Sequence, residues 1–360
     1  MNSISVIEVI LDHPTSKDLD INATDKYGWT ACMFACDNAK QRYDEIGNDL
    51  DLITSLFDHP ISKGIDCNAK DNSGLTALMV ACKNEWENVV ELFINYFSNK
   101  LDFNAKDNMG CTAFMWACKY NNKKVVKLLL KHSDLYKIDL NARDNRGHNA
   151  LLWTLKHEYN DITELLFKHV GCQRINFNCA DNTGCTAFLY ACKNGQVDTV
   201  KRLLDLSSKT FINFNAKDNN GLTAFIWACR SRDIYVVKQI LDQPIELNAK
   251  DKDGLSGFMW ACKEGKHGIV KLLLTESSIY SIDINARDVN GQTGFMLACI
   301  NGHYFVVQSI LEHAKTRPIN LDTEDNSGLT ALYLATKMGH ESICKLLLGH
   351  TTNKNKDRLI

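Results

Sequence analysis

The sequence predicts an all-α fold, a solenoid of helix–turn–helix repeats in a single elongated domain. The chain has nine glycines that each follow an aspartate by three residues, and successive glycines lie 46, 36, 37, 37, 37, 33, 37 and 37 residues apart. A fixed period of about 20 to 50 residues indicates a solenoid, in which each repeat buries its apolar face against its neighbours. The repeated phrase is clearest at Asn104–Leu130, where it contains two apolar segments with helical spacing.

The first predicted helix of each repeat follows the glycine, as the unit around Gly110 illustrates. Thr112 is a suitable N-cap residue for this helix. Phe114, Ala117 and Cys118 then recur at the i, i+3 and i+4 spacing that places apolar side chains on one buried stripe.

The second predicted helix of the unit starts after a polar break at Asn121-Asn122. It is apolar enough to pack against the first helix and the adjoining units, since it carries Val125, Val126, Leu128, Leu129 and Leu130. The segment Asn-Ala-(Lys/Arg)-Asp then leads to the next glycine, which suits a tight turn with a positive φ. Each repeat is therefore predicted to be a helical hairpin, joined to the next by a turn that we call the finger.

The pattern D-x-x-G-x-T-A-F-M-W-A-C-K, followed by V-V-x-x-L-L, resembles the ankyrin repeat, in nine units from Asp25 to His350. The resemblance implies a curved stack with β-turn fingers and a concave face that binds other proteins. The chain departs from the family pattern because T-P-L-H becomes Thr112-Ala113-Phe114-Met115 and equivalents, so that the proline and the histidine are missing. The resemblance also implies that the fingers offer asparagines for hydroxylation, such as Asn104, Asn215 and Asn285.

The predicted organisation has three parts: an N-terminal half repeat at 1–24 with a second helix only, nine repeats at 25–350, and a polar tail at 351–360. Because the sequence starts in mid-repeat, two interpretations stay open: the half repeat is a cap, or the sequence continues a longer product. The first complete repeat also has nine further residues between its helices, around Gln41–Asp51, which we interpret as a solvent-exposed insertion.

Composition and motifs argue against several functional classes. The formal net charge of −2 excludes a globally basic nucleic-acid binder, although charge can still be segregated by face. The sequence has no apolar run of about 18 residues and no signal peptide, so we expect a cytoplasmic or nuclear protein without membrane contact. It also has no phosphate-loop, dinucleotide, zinc-protease or serine-hydrolase motif. We therefore expect a monomer with no catalytic residues, no cofactor, no metal and no small-molecule substrate.

The fourteen cysteines are predicted to be reduced thiols. Seven follow a buried alanine in successive first helices, whose separation of about 8–10 Å exceeds the roughly 7 Å that a disulfide spans between Cα atoms: Cys36, Cys82, Cys118, Cys192, Cys229, Cys262 and Cys299. The best zinc candidate is the set His169, Cys172, Cys179 and Cys185. A packing role explains this set equally, because Cys179 occupies a slot that alanine usually fills and Cys185 repeats Cys111.

The predicted partner-binding residues lie on the face of the first helix opposite its buried stripe. An aromatic residue and a basic residue three positions later recur there in five consecutive repeats. We expect these residues to line a groove on the concave face, with aromatic rings next to basic side chains. This composition is typical of binding hot spots. In the alternative, the aromatic rings pack between adjacent first helices. The predicted set is Trp116, Lys119, Tyr120, Trp153, Lys156, Tyr190, Lys193, Trp227, Arg230, Trp260 and Lys263.

A second basic set precedes the aspartate of the finger. We expect it to extend the positive surface, and the alternative is that each base pairs with its own aspartate. The set consists of Lys70, Lys106, Arg143, Lys217, Lys250 and Arg287.

These observations predict a non-catalytic scaffold that binds an acidic, extended segment of a partner protein in its groove. Two alternatives stay open. The chain is the interaction module of a larger enzyme or effector whose catalytic part precedes it, or its basic stripe binds nucleic acid. Ankyrin-like arrays have unrelated roles, so the fold by itself does not identify the partner.

Overall fold

The computed structural model describes most of the chain. The described residues fall into two compact units, divided between Asn182 and Thr183, and each unit is described by itself. Residues 1–19 of the predicted half repeat and the predicted insertion at Gln41–Asp51 lie outside the described residues. The structure describes residues 20–38, 53–54, 57, 64–169, 175–231 and 233–357, the last seven as backbone only.

The first unit is built from helical hairpins. Each hairpin has a short first helix and a longer second helix, and the described residues contain no strand. The helices are α1 (Ala31–Asn38), α2 (Ala77–Lys83), α3 (Glu87–Phe97), α4 (Ala113–Lys119), α5 (Lys123–His132), α6 (Ala150–Lys156) and α7 (Asn160–His169).

The second unit repeats the same arrangement. Its last helix continues to Asp357, beyond His350, where the last repeat was predicted to end. The helices are α8 (Ala187–Lys193), α9 (Val197–Leu206), α10 (Ala224–Arg230), α11 (Ile234–Leu241), α12 (Gly257–Lys263), α13 (His267–Glu276), α14 (Gly294–Ile300), α15 (Tyr304–His313), α16 (Ala331–Lys337) and α17 (Glu341–Asp357).

Within each unit the first helices pack side by side, and so do the second helices. In the first unit α2 packs against α4 and α4 against α6, while α5 packs against both α3 and α7. In the second unit the first helices α8, α10, α12, α14 and α16 pack in the same order, and each packs against its own second helix. The prediction of an all-α array of helix–turn–helix repeats is therefore confirmed for the described residues.

The start of each first helix is fixed by an N-cap. The Thr112 hydroxyl accepts a hydrogen bond from the backbone N–H of Met115, as predicted. Asn149 caps α6 in the same way, through Leu152 N–H at 2.9 Å. Such caps typically stabilise a helix by about 1 kcal/mol.

The predicted apolar stripes form the core. Phe114, Ala117 and Cys118 of α4 are buried, and so are Val125 and Leu129 of α5. The predicted stripes are therefore confirmed as buried, and α4 is buried beyond its stripe, because Met115 and Trp116 are buried as well.

The fingers require glycine for two reasons. Gly110 has a φ of +79°, which side chains with a Cβ rarely adopt. In addition, a Cβ at Gly110 would lie 2.7 Å from Asn145 Oδ1 and 3.0 Å from Asn145 N in the next finger. The predicted positive φ is confirmed at all nine finger glycines, which are Gly28, Gly74, Gly110, Gly147, Gly184, Gly221, Gly254, Gly291 and Gly328.

Successive fingers within a unit are joined by hydrogen bonds. Asn145 N–H donates to Met109 O at 2.8 Å, and its side-chain amide donates to Asn108 O at 2.9 Å. Asn104 makes a second link, because its amide donates to Lys137 O and its Oδ1 accepts from Asp139 N–H. The fingers therefore contribute polar contacts between successive repeats.

No disulfide joins any two of the thirteen cysteines in the described part of the chain. Cys172 lies outside the described residues, so the predicted zinc set is described only at its other three members. The His169 ring contacts the Ser133 hydroxyl at 3.2 Å, and Cys185 is buried. Cys111 occupies the same position in its own repeat as Cys185 does in a later one. Burial raises the pKa of the Cys111 thiol to about 12. No group of three potential metal ligands occurs among the described residues.

Candidate functional site

The finger aspartate holds the aromatic residue of its own repeat. The indole Nε1–H of Trp116 donates to Asp107 Oδ2 at 2.9 Å, and the backbone N–H groups of Met109 and Cys111 donate to Asp107 Oδ1, both at 2.8 Å. The same pair, nine residues apart, recurs at Asp144–Trp153 (3.1 Å), Asp218–Trp227 (3.1 Å) and Asp251–Trp260 (2.7 Å). One carboxylate thus fixes both the finger turn and the indole ring.

This bond changes the predicted picture of open aromatic plates. Trp116, Trp153 and Tyr190 are only 5%, 6% and 7% exposed, so the expectation that these three rings lie open in the groove is wrong. For the two tryptophans the reason is that the carboxylate of the finger draws the ring under the finger turn. The rings of Trp227 and Trp260 are half-buried.

Tyr120 is the predicted aromatic residue that is most exposed. The residue is 43% exposed, and its ring stacks on Trp116 with 5.4 Å between ring centroids. Tyr120 is therefore an exposed aromatic residue next to the buried indole of Trp116.

The predicted basic residues lie over these rings. In the first unit Lys119 Nζ lies 4.7 Å from the ring centre of Trp116 in its own helix and 4.8 Å from that of Trp153 in the next repeat. Lys156 Nζ lies 5.6 Å from the Trp153 ring, and Lys83 Nζ lies 6.0 Å from the Trp116 ring. These are cation–π distances.

The second unit has the same pattern. Lys193 Nζ lies 4.5 Å from the Trp227 ring, and Lys263 Nζ lies 4.6 Å from the Trp260 ring. The Arg230 guanidinium lies between two rings, 4.8 Å from Trp227 and 3.9 Å from Trp260. We call these cations the basic row of their unit; it comprises Lys83, Lys119 and Lys156 in the first unit and Lys193, Arg230 and Lys263 in the second.

The sequence-based site set omitted Lys83, because its own helix has Val80 at the aromatic position. Lys83 nevertheless lies near the aromatic rings of the next repeat, Trp116 at 6.0 Å and Tyr120 at 5.9 Å. The signal that could have found it is the recurring base directly after the buried cysteine, which is independent of the aromatic position.

The basic rows of the two units differ in their counter-charges. In the described part of the chain, no carboxylate lies within 4.0 Å of the ammonium groups of Lys83, Lys119 or Lys193. Arg230, by contrast, pairs with Glu264, with 2.8 Å between Nε and Oε1. The first unit therefore carries the less compensated positive charge.

The finger bases mostly bind backbone oxygens of the following finger. Lys106 Nζ donates to Arg143 O at 3.0 Å, and Lys250 Nζ donates to Arg287 O at 2.8 Å. The exception is Lys217, whose Nζ lies 3.9 Å from Glu246 Oε2. The alternative that each base pairs with its own aspartate is therefore not what the structure shows at these three residues.

The arginines and Lys70 follow the same rule. Arg143 spans its own finger and the next one, because Nε donates to Gly147 O and Nη2 donates to Ala180 O. Arg287 repeats both bonds, and Lys70 Nζ donates to the Lys106 backbone oxygen. Their contribution to partner binding stays a prediction.

His148 directly follows the finger glycine, at a position where most other repeats have leucine or cysteine and two have tryptophan or glutamine. The imidazole is 3% exposed, its Nδ1 lies 3.5 Å from Asp144 Oδ2, and its Nε2 lies 3.5 Å from Asp181 Oδ2. Lys156 Nζ lies 3.3 Å from the same Nε2. Burial lowers the pKa of the imidazole, and the Lys156 ammonium lowers that pKa further, whereas the two carboxylates oppose the shift.

We predict that His148 makes the stability of the protein depend on pH. Because its pKa is lowered in the folded state, the unfolded chain takes up the proton first as the pH falls below about 6.5. Stability is therefore complete above pH 6.5 and decreases from there down to the lowered pKa. His148→Leu, which introduces the residue present at Leu75, should reduce the difference in melting temperature between pH 8 and pH 5.5. An unchanged difference would contradict this role.

Comparison with known protein families gives a match to ankyrin repeats over most of the chain. The family described as "Ankyrin repeats (3 copies)" matches in overlapping windows at residues 45–144, 99–178, 133–214, 172–251, 209–288 and 258–358. A search of curated proteins gives no significant match. None of the helices in the described part of the chain combines the length and the hydrophobicity of a membrane span.

Proposed function

Because the chain belongs to the ankyrin-repeat family, whose repeats generally mediate protein–protein interactions, we propose that its basic row binds an acidic, extended segment of a partner protein. The observation that carries this proposal is the position of the cations. Each lies against one or two aromatic rings, and Lys83, Lys119 and Lys193 have no carboxylate of the described chain within 4.0 Å. A partner carboxylate would supply the missing counter-charge.

The rings also prepare the cations for binding. A free lysine side chain loses up to about 2 kcal/mol of conformational free energy when it is immobilised. Contacts such as those of Lys119 with Trp116 and Trp153 restrict the side chain before a partner arrives. Less conformational entropy then remains to be lost on binding.

The carboxylates of the fingers do not cancel this charge at the surface. Asp107 and Asp144 are buried, and their oxygens accept the indole and backbone N–H groups described above. The exposed charge on this face therefore comes mainly from the bases. We propose that the protein acts by binding alone, in the cytoplasm or the nucleus, without a catalytic step.

We expect the charge reversal Lys119→Glu to weaken binding of a labelled polyglutamate peptide about tenfold, because one attraction is lost and one repulsion is added. The matched control is Lys124→Glu, which makes the same change at an exposed position of the second helix α5. Fluorescence anisotropy measures both affinities, and melting temperatures establish that both variants are folded.

Equal losses in the two variants would show that the peptide responds only to net charge and would overturn the basic row as its site. A labelled single-stranded oligonucleotide is measured in parallel. If it bound more tightly than the peptide, with the steep salt dependence of phosphate contacts, the nucleic-acid alternative would replace this proposal.

A further inference from the structure

We infer that the basic row fits a polyproline II segment with an acidic residue at every third position, and that the first unit is the stronger site. This inference rests on the proposed function and adds the conformation and the spacing of the partner. Three properties support it: one cation per repeat, the contact of each cation with at least one aromatic ring, and unequal compensation of charge in the two units.

The cations follow the repeat of the helices. Lys119 lies between the rings of two neighbouring repeats, at 4.7 and 4.8 Å, and Arg230 does so at 4.8 and 3.9 Å. A side chain that contacts the rings of two neighbouring repeats is held near one position between those repeats. Since adjacent packed helices are about 8–10 Å apart, successive cations within one unit are separated by a similar distance.

A polyproline II helix matches this spacing. It has three residues per turn and rises about 3.1 Å per residue, so every third side chain lies on one face at intervals of about 9 Å. A β-strand fails, because its side chains alternate and every third one points to the opposite face. An α-helix with an acidic residue on every turn also fails, because its rise of about 5.4 Å per turn is too short for successive cations.

The two units differ in their capacity for such a segment. Lys83, Lys119 and Lys156 provide three successive cations, and the described structure places no carboxylate within 4.0 Å of their ammonium groups. In the second unit, Glu264 already pairs with Arg230 at the centre of the row. An acidic segment would have to compete with Glu264 there.

The test uses the full chain and two labelled peptides of equal composition. One has glutamate at every third position, separated by proline and alanine, and the other has the same glutamates in one block. We expect the spaced peptide to bind about tenfold more tightly, because all three of its carboxylates reach a cation. Fluorescence anisotropy at fixed ionic strength measures both affinities.

The outcomes separate the two proposals. Equal affinities for the two peptides would overturn the spacing and leave the recognition of acidic segments intact. Binding of neither peptide would overturn both the spacing and the proposed function. Tighter binding of a single-stranded oligonucleotide than of either peptide would overturn both in favour of nucleic acid.

A matched pair of variants tests the choice of unit. Lys119→Glu and Arg230→Glu reverse the charge at the centre of the row in the first and the second unit. We expect the first to remove the preference for the spaced peptide and the second to change its affinity less than about threefold, since the peptide binds in the first unit and Arg230 is already paired with Glu264. A larger loss in Arg230→Glu than in Lys119→Glu would overturn the assignment to the first unit.

Discussion

Replacing Gly254 by alanine is expected to lower the free energy of unfolding by more than about 3 kcal/mol. The φ of Gly254 is +80°, which costs any residue with a Cβ about 1–2 kcal/mol. The added methyl group would also lie 2.9 Å from Val289 N and 3.1 Å from the Cα of Asp288. Both atoms belong to the backbone of the next finger, which cannot move without breaking the hydrogen bond from Val289 N–H to Asp253 O.

The last finger provides the matched control. Gly328 has a similar φ of +74°, but the nearest atom to an added Cβ is Glu324 Oε2 at 3.9 Å. Gly328→Ala should therefore show only the backbone strain of about 1–2 kcal/mol. Urea denaturation followed by far-UV circular dichroism measures both variants. Equal losses of stability would contradict the view that close contact between fingers makes Gly254 necessary.

Replacing Asp107 by alanine is expected to lower the free energy of unfolding by about 3–5 kcal/mol. The buried Asp107 carboxylate accepts three hydrogen bonds, from the N–H groups of Met109, Cys111 and Trp116. Hydrogen bonds to a charged group contribute about 1.5–3 kcal/mol each, and a buried donor left without a partner adds a further cost. The shift of the urea midpoint, followed by tryptophan fluorescence and circular dichroism, measures the loss.

Two further variants separate the contribution of the backbone hydrogen bonds in the turn from that of the indole hydrogen bond. Asp107→Asn keeps an oxygen for the two backbone donors but places an amide N–H group against the indole N–H, so it should lose less stability than alanine. Asp325→Ala removes a carboxylate that accepts two backbone N–H groups in the last finger, where Leu334 replaces the tryptophan. A loss in Asp325→Ala as large as that in Asp107→Ala would show that the indole bond contributes little.

The sequence was sufficient for the repeat architecture, because periodicity, capping and glycine placement depend on local chemistry. Thr112 was predicted as a cap from its position before an apolar stripe, and Gly110 was predicted to have a positive φ from its place in a turn. Both are confirmed. These properties repeat nine times, so each copy supports the others.

The candidate site was predicted less completely, because its geometry depends on contacts between repeats. The helical wheel placed Trp116 on the face opposite Phe114, which led to the expectation of an open ring. It could not show that Asp107 holds the ring under the finger, although the constant spacing of nine residues between aspartate and tryptophan was a usable signal. The wheel also treats one helix at a time, so it could not show that Lys83 lies over the rings of the next repeat.

The position of Lys119 between the rings of two repeats has a consequence for how the array opens. An ammonium group shared by two neighbours belongs to their interface as much as to either hairpin. The stability of a repeat array depends strongly on the interfaces between neighbouring repeats. A ligand bound to such a group would therefore stabilise both hairpins and their interface. Occupied repeats would then fray as a block and not singly, and their amide protons would exchange with solvent more slowly as one set.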